Sequence, residues 1–212
     1  MSHGVHAVQH EVEHQLEHEH GGGGGHGKLI SLDGRNKKVA LVIAIMALFL
    51  AFSETLGKSA QTNAISFNVE AANLWAFFQA KNIRRTTVLT AAETLTAELP
   101  AASNDAVKAS MTKQIDTWQK TAARYRSEPD VREGTIELAE RAKDAESRRD
   151  TAMARYHHYE VASAAFQIAI VLASSTVITG VLLLTYFAGG LGLIGLAFLG
   201  IGLFAPHSVH LF

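Results

Sequence analysis

The last 52 residues of the chain, Val161 to Phe212, contain no Asp, Glu, Lys or Arg. A stretch of this length with two long apolar blocks is very hard to keep soluble, because about 20 apolar residues already suffice for a transmembrane helix. Residues 39–53, VALVIAIMALFLAFS, form a shorter third block, which snorkelling Lys37 and Lys38 and an extension to Leu56 lengthen. The sequence therefore predicts an all-α membrane protein with three transmembrane helices.

The charge-free region divides into two predicted spans, residues 161–188 and 189–204, at the Gly-Gly break of residues 189 and 190. A re-entrant or interfacial segment is the alternative for the shorter second block. Gln167 is expected to form a hydrogen bond across helices. Small residues recur along one face of the first block and allow helices to approach closely in lipid. This predicted packing face consists of Ala162, Ala165, Ala169, Ala173 and Gly180.

Residues 57–160 carry 15 Lys and Arg against 14 Asp and Glu. Their apolar residues recur in alternating steps of three and four, which is typical of paired helices. The pattern predicts a long, coiled-coil-like antiparallel helical hairpin outside the membrane, with its return leg kinked at Pro129. Because Lys81 and Arg85 interrupt the apolar seam, either carboxylates, phosphates or water lie near them or the helix bends there. The seams begin Ala60, Ala64, Phe67, Ala71, Leu74; Val107, Met111, Ile115, Trp118; and Leu138, Ala142, Ala145.

The first 27 residues form an acidic arm, in which residues 3–27 hold seven His and four Glu and end in GGGGGHG, a predicted flexible hinge. Spacing of four residues would let neighbouring imidazoles on a helix bind Zn, Ni or Cu together. Alternatively, protonation of seven histidines would take the arm from a charge of about -4 toward about +3 below pH of about 5.5. A solvated tail without a specific ligand is the third reading. The candidate metal ligands are His6, His10, His14 and His18.

These features divide the chain into five parts: arm 1–27, basic flank and first span 28–56, extramembrane hairpin 57–160, second and third spans 161–205, and tail 206–212. Basic residues beside the first span, among them Lys37 and Lys38, favour a cytoplasmic amino terminus. The hairpin then lies on the opposite side. The lack of a basic excess disfavours nucleic-acid binding.

A cluster of titratable residues is expected where the first span leaves the membrane. It could bind a proton or a cation, although such residues most often mark the water interface. The sequence has no P-loop, GxSxG, dinucleotide-binding or HExxH motif, and it has no Cys. An enzyme is therefore not expected. The predicted interfacial cluster is Glu54, Lys58, His157 and Glu160.

Two segments carry a resemblance to a known family: NLWAFFQAKNIRR at 73–85 and YHHYEVASAAFQIAIVLASS at 156–175. With the basic-flanked span and SETLGKSA between residues 53 and 60, they resemble the DUF4337 family of bacterial inner-membrane proteins of unknown function. The resemblance covers most of residues 35–205. It implies three spans with a helical insertion and no established activity.

The leading hypothesis is a non-enzymatic integral membrane protein that acts by helical association, as a homo-oligomeric scaffold or as an accessory subunit of a larger complex. Its partners are then the lipid bilayer and copies of itself or other membrane subunits. A metal- or pH-responsive protein that uses the arm as its sensor is the alternative. A channel or transporter is a third hypothesis, against which stands the lack of charge in the last two spans.

Overall fold

The computed structural model describes residues 34–209, and in this range all regular secondary structure is helical, without β-strands. The amino-terminal arm, with its candidate metal ligands, lies outside the described residues. Residues 39–209 belong to one compact unit. The four α-helices are α1, Gly34–Glu98; α2, Asp105–Arg126; α3, Thr135–Thr179; and α4, Leu182–Phe204.

Helix α1 joins the predicted first span and the predicted first leg of the hairpin into one continuous element. Its 65 residues give a length of about 98 Å at 1.5 Å per residue. The helix stops before Pro100, which lies in a short 3-10 turn, Leu99–Ala101. Asn104 then caps α2, because its side chain accepts a hydrogen bond of 2.9 Å from the backbone amide of Val107.

Contacts between α1 and α3 run in opposite order along the two helices. Val39 clusters with Ala173, and toward the other end Ala71 clusters with Ala142. The members of the α1 and α3 seams named in the sequence analysis are buried, except Phe67, which is half-buried. The buried members include Ala60, Ala64, Ala71, Leu74 and Ala92 on α1, and Leu138, Ala142, Ala145, Ala152 and Tyr159 on α3. Of the α2 seam, Val107 is exposed and Met111, Ile115 and Trp118 are half-buried.

Three helices are long and apolar enough to cross a membrane: α1, α3 and α4. Large apolar side chains point outward along each of them, with Leu48 69%, Val171 63% and Leu193 69% exposed. We refer to residues 39–53, 161–179 and 182–204 together as the apolar belt. The prediction of three such helices is confirmed.

The turn between the last two apolar helices lies at Gly180, and the predicted break at residues 189 and 190 is wrong. Helix α3 ends at Thr179 because Gly180 adopts a left-handed conformation with φ 73°, which only glycine adopts without strain. Gly189 and Gly190 lie inside α4. Of the predicted packing face, Gly180 is thus a helix cap, whereas the members inside the helix are all buried: Ala162, Ala165, Ala169 and Ala173.

Glycines of α4 supply a second close-packed face, which the sequence analysis did not identify. A Cβ atom at Gly195 would lie 2.9 Å from the Phe166 ring, and one at Gly202 would lie 2.7 Å from the Tyr159 ring. The buried residues of α4 recur in steps of four and three, so this signal was present in the sequence. They are Ala188, Gly192, Gly195, Leu199 and Gly202.

Between α2 and α3 the chain forms a non-helical linker, residues 127–134, rather than a kinked helix at Pro129. Gly134 is required there, because a Cβ would lie 2.6 Å from both Cα of Ser127 and the backbone nitrogen of Glu128. The linker supplies the partners expected for Lys81, whose Nζ lies 3.1 Å from Glu128 and 3.7 Å from Glu133. This ammonium lies in the seam and is almost fully buried.

Candidate functional site

Buried serines join α1 and α3 at the edge of the apolar belt. The hydroxyl of Ser53 donates a 2.9 Å hydrogen bond to the backbone carbonyl of Tyr159, and the Ser163 hydroxyl donates to Ser53 Oγ at 3.1 Å. Small side chains are needed here, because the two backbones approach closely enough for a serine to bridge them. This network fixes the height of α1 against α3.

Glu54 has a partner on another helix. Gln167 Nε2 donates a 3.1 Å hydrogen bond to Glu54 Oε1, as expected for a glutamine that pairs across helices. Lys58, one turn further along α1, is exposed. The Glu54–Gln167 pair is itself on the surface, although Gln167 lies within the apolar belt. In a bilayer, a carboxylate at this depth would depend on such a donor.

His157 and Glu160 face each other on one side of α3. His157 Nδ1 lies 3.8 Å from Glu160 Oε2, and the Tyr156 hydroxyl donates a 3.4 Å hydrogen bond to Glu160 Oε1. The structure therefore brings together His157 and Glu160 of the predicted cluster, whereas Glu54 is bonded to Gln167, seven residues further along α3. Ser53 and Tyr159 form a contact between the two helices near this level.

His158 points the opposite way and is 1% exposed. Its Nε2 lies 3.0 Å from the carbonyl oxygen of Pro206, and because a carbonyl only accepts, Nε2 carries the proton. The ring stacks on Phe198 with centroids 6.0 Å apart. His207 Nε2 lies 3.1 Å from the Thr151 hydroxyl. The two contacts dock the segment after α4 onto α3.

A groove of about 410 Å³ with a mixed polar and apolar lining lies between α1 and α3 next to the serine network. Arg148 on its rim is already neutralised, because it forms ion pairs of 3.1 Å with both Glu70 and Asp144. Its guanidinium also lies 4.8 Å from the centre of the Phe67 ring. The groove is lined by Leu56, Ser59, Ala60, Asn63, Phe67, Ser147, Arg148, Thr151, Ala152, Arg155 and Tyr159.

The lining of the groove contains no carboxylate and no imidazole, so it lacks a general base. No group of three or more His, Asp or Glu side chains suited to a metal ion occurs within residues 34–209. The described polar groups at the belt edge hold helices together, through the Ser53–Tyr159 and Glu54–Gln167 contacts.

Comparison with known proteins gives one match. The model of a family described as "Domain of unknown function (DUF4337)" matches residues 35–205. No curated protein and no solved structure matches the chain.

Proposed function

The chain belongs to the DUF4337 family, whose function is unknown, and we propose that it is a non-enzymatic integral membrane protein that acts by helical association. In this proposal the apolar belt crosses the bilayer. The protein then serves either as a homo-oligomeric scaffold or as an accessory subunit of a membrane complex.

The observation that carries the proposal is the exposed apolar surface of the belt. Leu48, Leu193 and Phe204 are 69, 69 and 88% exposed, and α3 from Val161 onward has no charged residue. In water such a surface would aggregate, whereas in lipid it is the expected exterior. The belt segment of α4 alone, 23 residues, is about 34 Å long, close to the thickness of a bilayer core.

The opposite order of contacts along α1 and α3 supports an antiparallel hairpin outside the membrane. The serine network marks where the pair leaves the belt, and the charged residues of the hairpin lie beyond it. Lys37 and Lys38 favour a cytoplasmic amino terminus. We therefore place the protein in the bacterial inner membrane with the hairpin on the far side from the cytoplasm.

Two measurements on the full chain test this proposal. Alkaline carbonate should leave the protein in the membrane pellet, because three crossing helices cannot be washed off a bilayer. Gentle extraction followed by native mass measurement should give a particle larger than one 22.8 kDa chain. Release by carbonate would refute membrane insertion. If the protein is extracted from membranes that contain it at its natural abundance and the particle is strictly monomeric, function by association is refuted.

The histidine-rich arm supports a second candidate, a metal- or pH-responsive membrane protein. Its supporting observation is the four-residue spacing of His6, His10, His14 and His18. Deletion of residues 3–27 separates the candidates. A scaffold should assemble as before without the arm, and a sensor should lose its response to Zn²⁺, Ni²⁺ or acid. An unchanged response after deletion would refute the arm as sensor.

A further inference from the structure

The outward side of α1 carries a second apolar seam, opposite the one that packs on α3. Its members recur in steps of four and three, as those of the inner seam do, and each of them is exposed. Beyond the apolar belt, its largest apolar side chains are Ile65, Val69 and Ile83, which are 61, 53 and 66% exposed. We call this set the outer stripe: Leu41, Ala44, Leu48, Ala51, Thr55, Lys58, Thr62, Ile65, Val69, Ala72, Ala76, Gln79 and Ile83.

Contact with lipid explains the exposure of apolar side chains in only the first part of the outer stripe. Leu41 to Ala51 lie in the apolar belt, but Ile65 to Ile83 lie in the segment that the proposed function puts in water. From Ser59 to Ala80, Glu70 is the one charged residue of α1, and it is paired with Arg148 on α3. An exposed helix face of this length without charge is typical of an interface.

We infer that the outer stripe pairs with the outer stripe of a second copy of this chain, as a parallel two-helix contact. This inference rests on the proposed membrane insertion. Two copies in one bilayer share their orientation and depth, so each residue of α1 meets the same residue of its partner. A seam with heptad spacing is complementary to itself in this arrangement, and Val69 then packs on Val69.

The positions beside the stripe favour self-association over a foreign partner. In parallel coiled coils these flanking positions usually carry the charges that select or reject partners. Along the extramembrane part of the stripe they are uncharged, so two identical copies meet without like-charge repulsion. The flanking residues are Gln61, Ser66, Asn68, Asn73, Trp75, Ala80 and Asn82.

Four members of the stripe are polar. Thr55 and Thr62 donate hydrogen bonds of 2.8 and 2.9 Å to carbonyl oxygens of α1 itself, and Gln79 and Lys58 are compatible with a second copy. Gln79 has both a donor and an acceptor, so it can form a hydrogen bond with Gln79 of the other chain. Lys58 is exposed at the belt edge, and its long side chain can carry the ammonium group away from the contact into water.

The length of the outer stripe is sufficient for a stable contact. Residues 41–83 span about 63 Å of helix. With a contact width on the order of 10 Å, each copy buries about 600 Å² of surface. The total buried area of the two copies then lies at the lower end of the range for specific interfaces, about 1,200–2,000 Å².

Disulfide cross-linking in native membranes tests the inference, because the chain has no Cys of its own. Single cysteines are introduced on the stripe as Ile65→Cys, Val69→Cys, Ala72→Cys and Ala76→Cys. Exposed controls off the stripe are Asn63→Cys on α1 and Lys143→Cys on α3. A disulfide needs Cα atoms within about 7 Å. We expect covalent dimers at the stripe positions, with yields several-fold above both controls.

A register test uses two tagged copies in one membrane. Val69→Cys in both copies should cross-link, whereas Val69→Cys in one and Ile83→Cys in the other should not, since 14 residues separate them by about 21 Å. Equal yields on and off the stripe would overturn the inference, and so would cross-links to a different protein or between residues 69 and 83. If one of these contrary outcomes is obtained with a chain that stays in the membrane pellet in carbonate, the proposed pairing of outer stripes is refuted and membrane insertion is not. Release by carbonate refutes insertion itself.

Discussion

The inner and outer faces of α1 repeat with the same spacing but have opposite surroundings. On the inner face Ala71 is 3% exposed against α3, and one residue later Ala72 is exposed on the outer stripe. The outward side of α3 differs again, because residues 135–155 carry ten charged side chains. Heptad spacing therefore indicates an apolar helix face. The distribution of charge around that face indicates whether it meets water or protein.

The largest expected difference between the two faces comes from one substitution made at neighbouring residues. Ala71→Glu would bury an unpaired carboxylate among Leu74, Leu138 and Ala142, and we expect a loss of unfolding free energy on the order of 3–5 kcal/mol. Ala72→Glu should leave the fold intact and abolish the proposed pairing of copies, because it sets two carboxylates against each other. Unfolding in detergent and native mass of the particle measure the two effects.

The same experiment can remove the distinction between the faces. Should Ala72→Glu unfold the chain as strongly as Ala71→Glu, the outer stripe would be part of the monomer's own core. If both variants keep the wild-type stability, Ala71 does not lie in a buried contact between α1 and α3.

A second comparison sets a core leucine against an exposed isoleucine two residues away on α3. Leu138 is 0% exposed and packs on the inner face of α1, whereas Ile136 is 51% exposed. Leu138→Ala should cost about 2–5 kcal/mol, because it removes buried apolar contacts and leaves a cavity. Ile136→Ala should change the unfolding free energy by no more than about 0.5 kcal/mol. Equal losses in thermal or detergent unfolding would contradict the assignment of the core.

Much of this architecture could be predicted from the sequence, because apolar runs and heptad seams are local patterns. The seam through Ala60 and Leu74 follows from spacing, and so does the need of Lys81 for a polar neighbour, although spacing did not distinguish a carboxylate from phosphate or water. The turn could not be located in this way. Gly180 and Gly190 both lie in charge-free stretches, and only the backbone conformation at Gly180 distinguishes a helix cap from a glycine inside a helix.

The partner of Glu54 also depends on tertiary register. On the helix itself Lys58 stands in the favourable position four residues away, and the sequence analysis placed both residues in one interfacial cluster. The structure gives Glu54 a bond to Gln167 because the Ser53–Tyr159 contact sets the height of α3 against α1. Such a register is a property of two helices together, and no single stretch of sequence contains it.

A third, smaller effect concerns the ammonium group within the inner face. Lys81→Met keeps the length of the side chain but leaves Glu128 and Glu133 without their shared cation, so we expect a loss of about 1–2 kcal/mol. The matched control is Lys120→Met. Its pair with Asp116 is exposed on both sides and should be worth no more than about 0.5 kcal/mol. A neutral Lys81→Met would show that the inner seam accepts a purely apolar residue here.

The smallest expected effect is the pH dependence of the linker that presents Glu128 to Lys81. A hydrogen bond of 2.5 Å from the Ser127 hydroxyl lowers the pKa of Glu137, with smaller contributions from the backbone amide of Glu128 and the charge of Lys81. Because the pKa of Glu137 is lower in the folded chain than in the unfolded one, its stabilisation is complete above the ordinary glutamate pKa of about 4.3. It is lost as the pH falls through the folded value.

Thermal unfolding midpoints measured from pH 7 down to strongly acidic pH should therefore show this loss in the wild-type chain. Glu137→Gln removes the titrating group, and the midpoint of this variant should fall less than that of the wild type over the acidic range. Ser127→Ala removes the largest cause of the lowered pKa and should reduce the slope in the same way, without changing the number of carboxylates. If Ser127→Ala keeps the full wild-type slope, the hydroxyl does not hold Glu137, and the linker must owe its shape to Gly134 and the contacts of Lys81 alone.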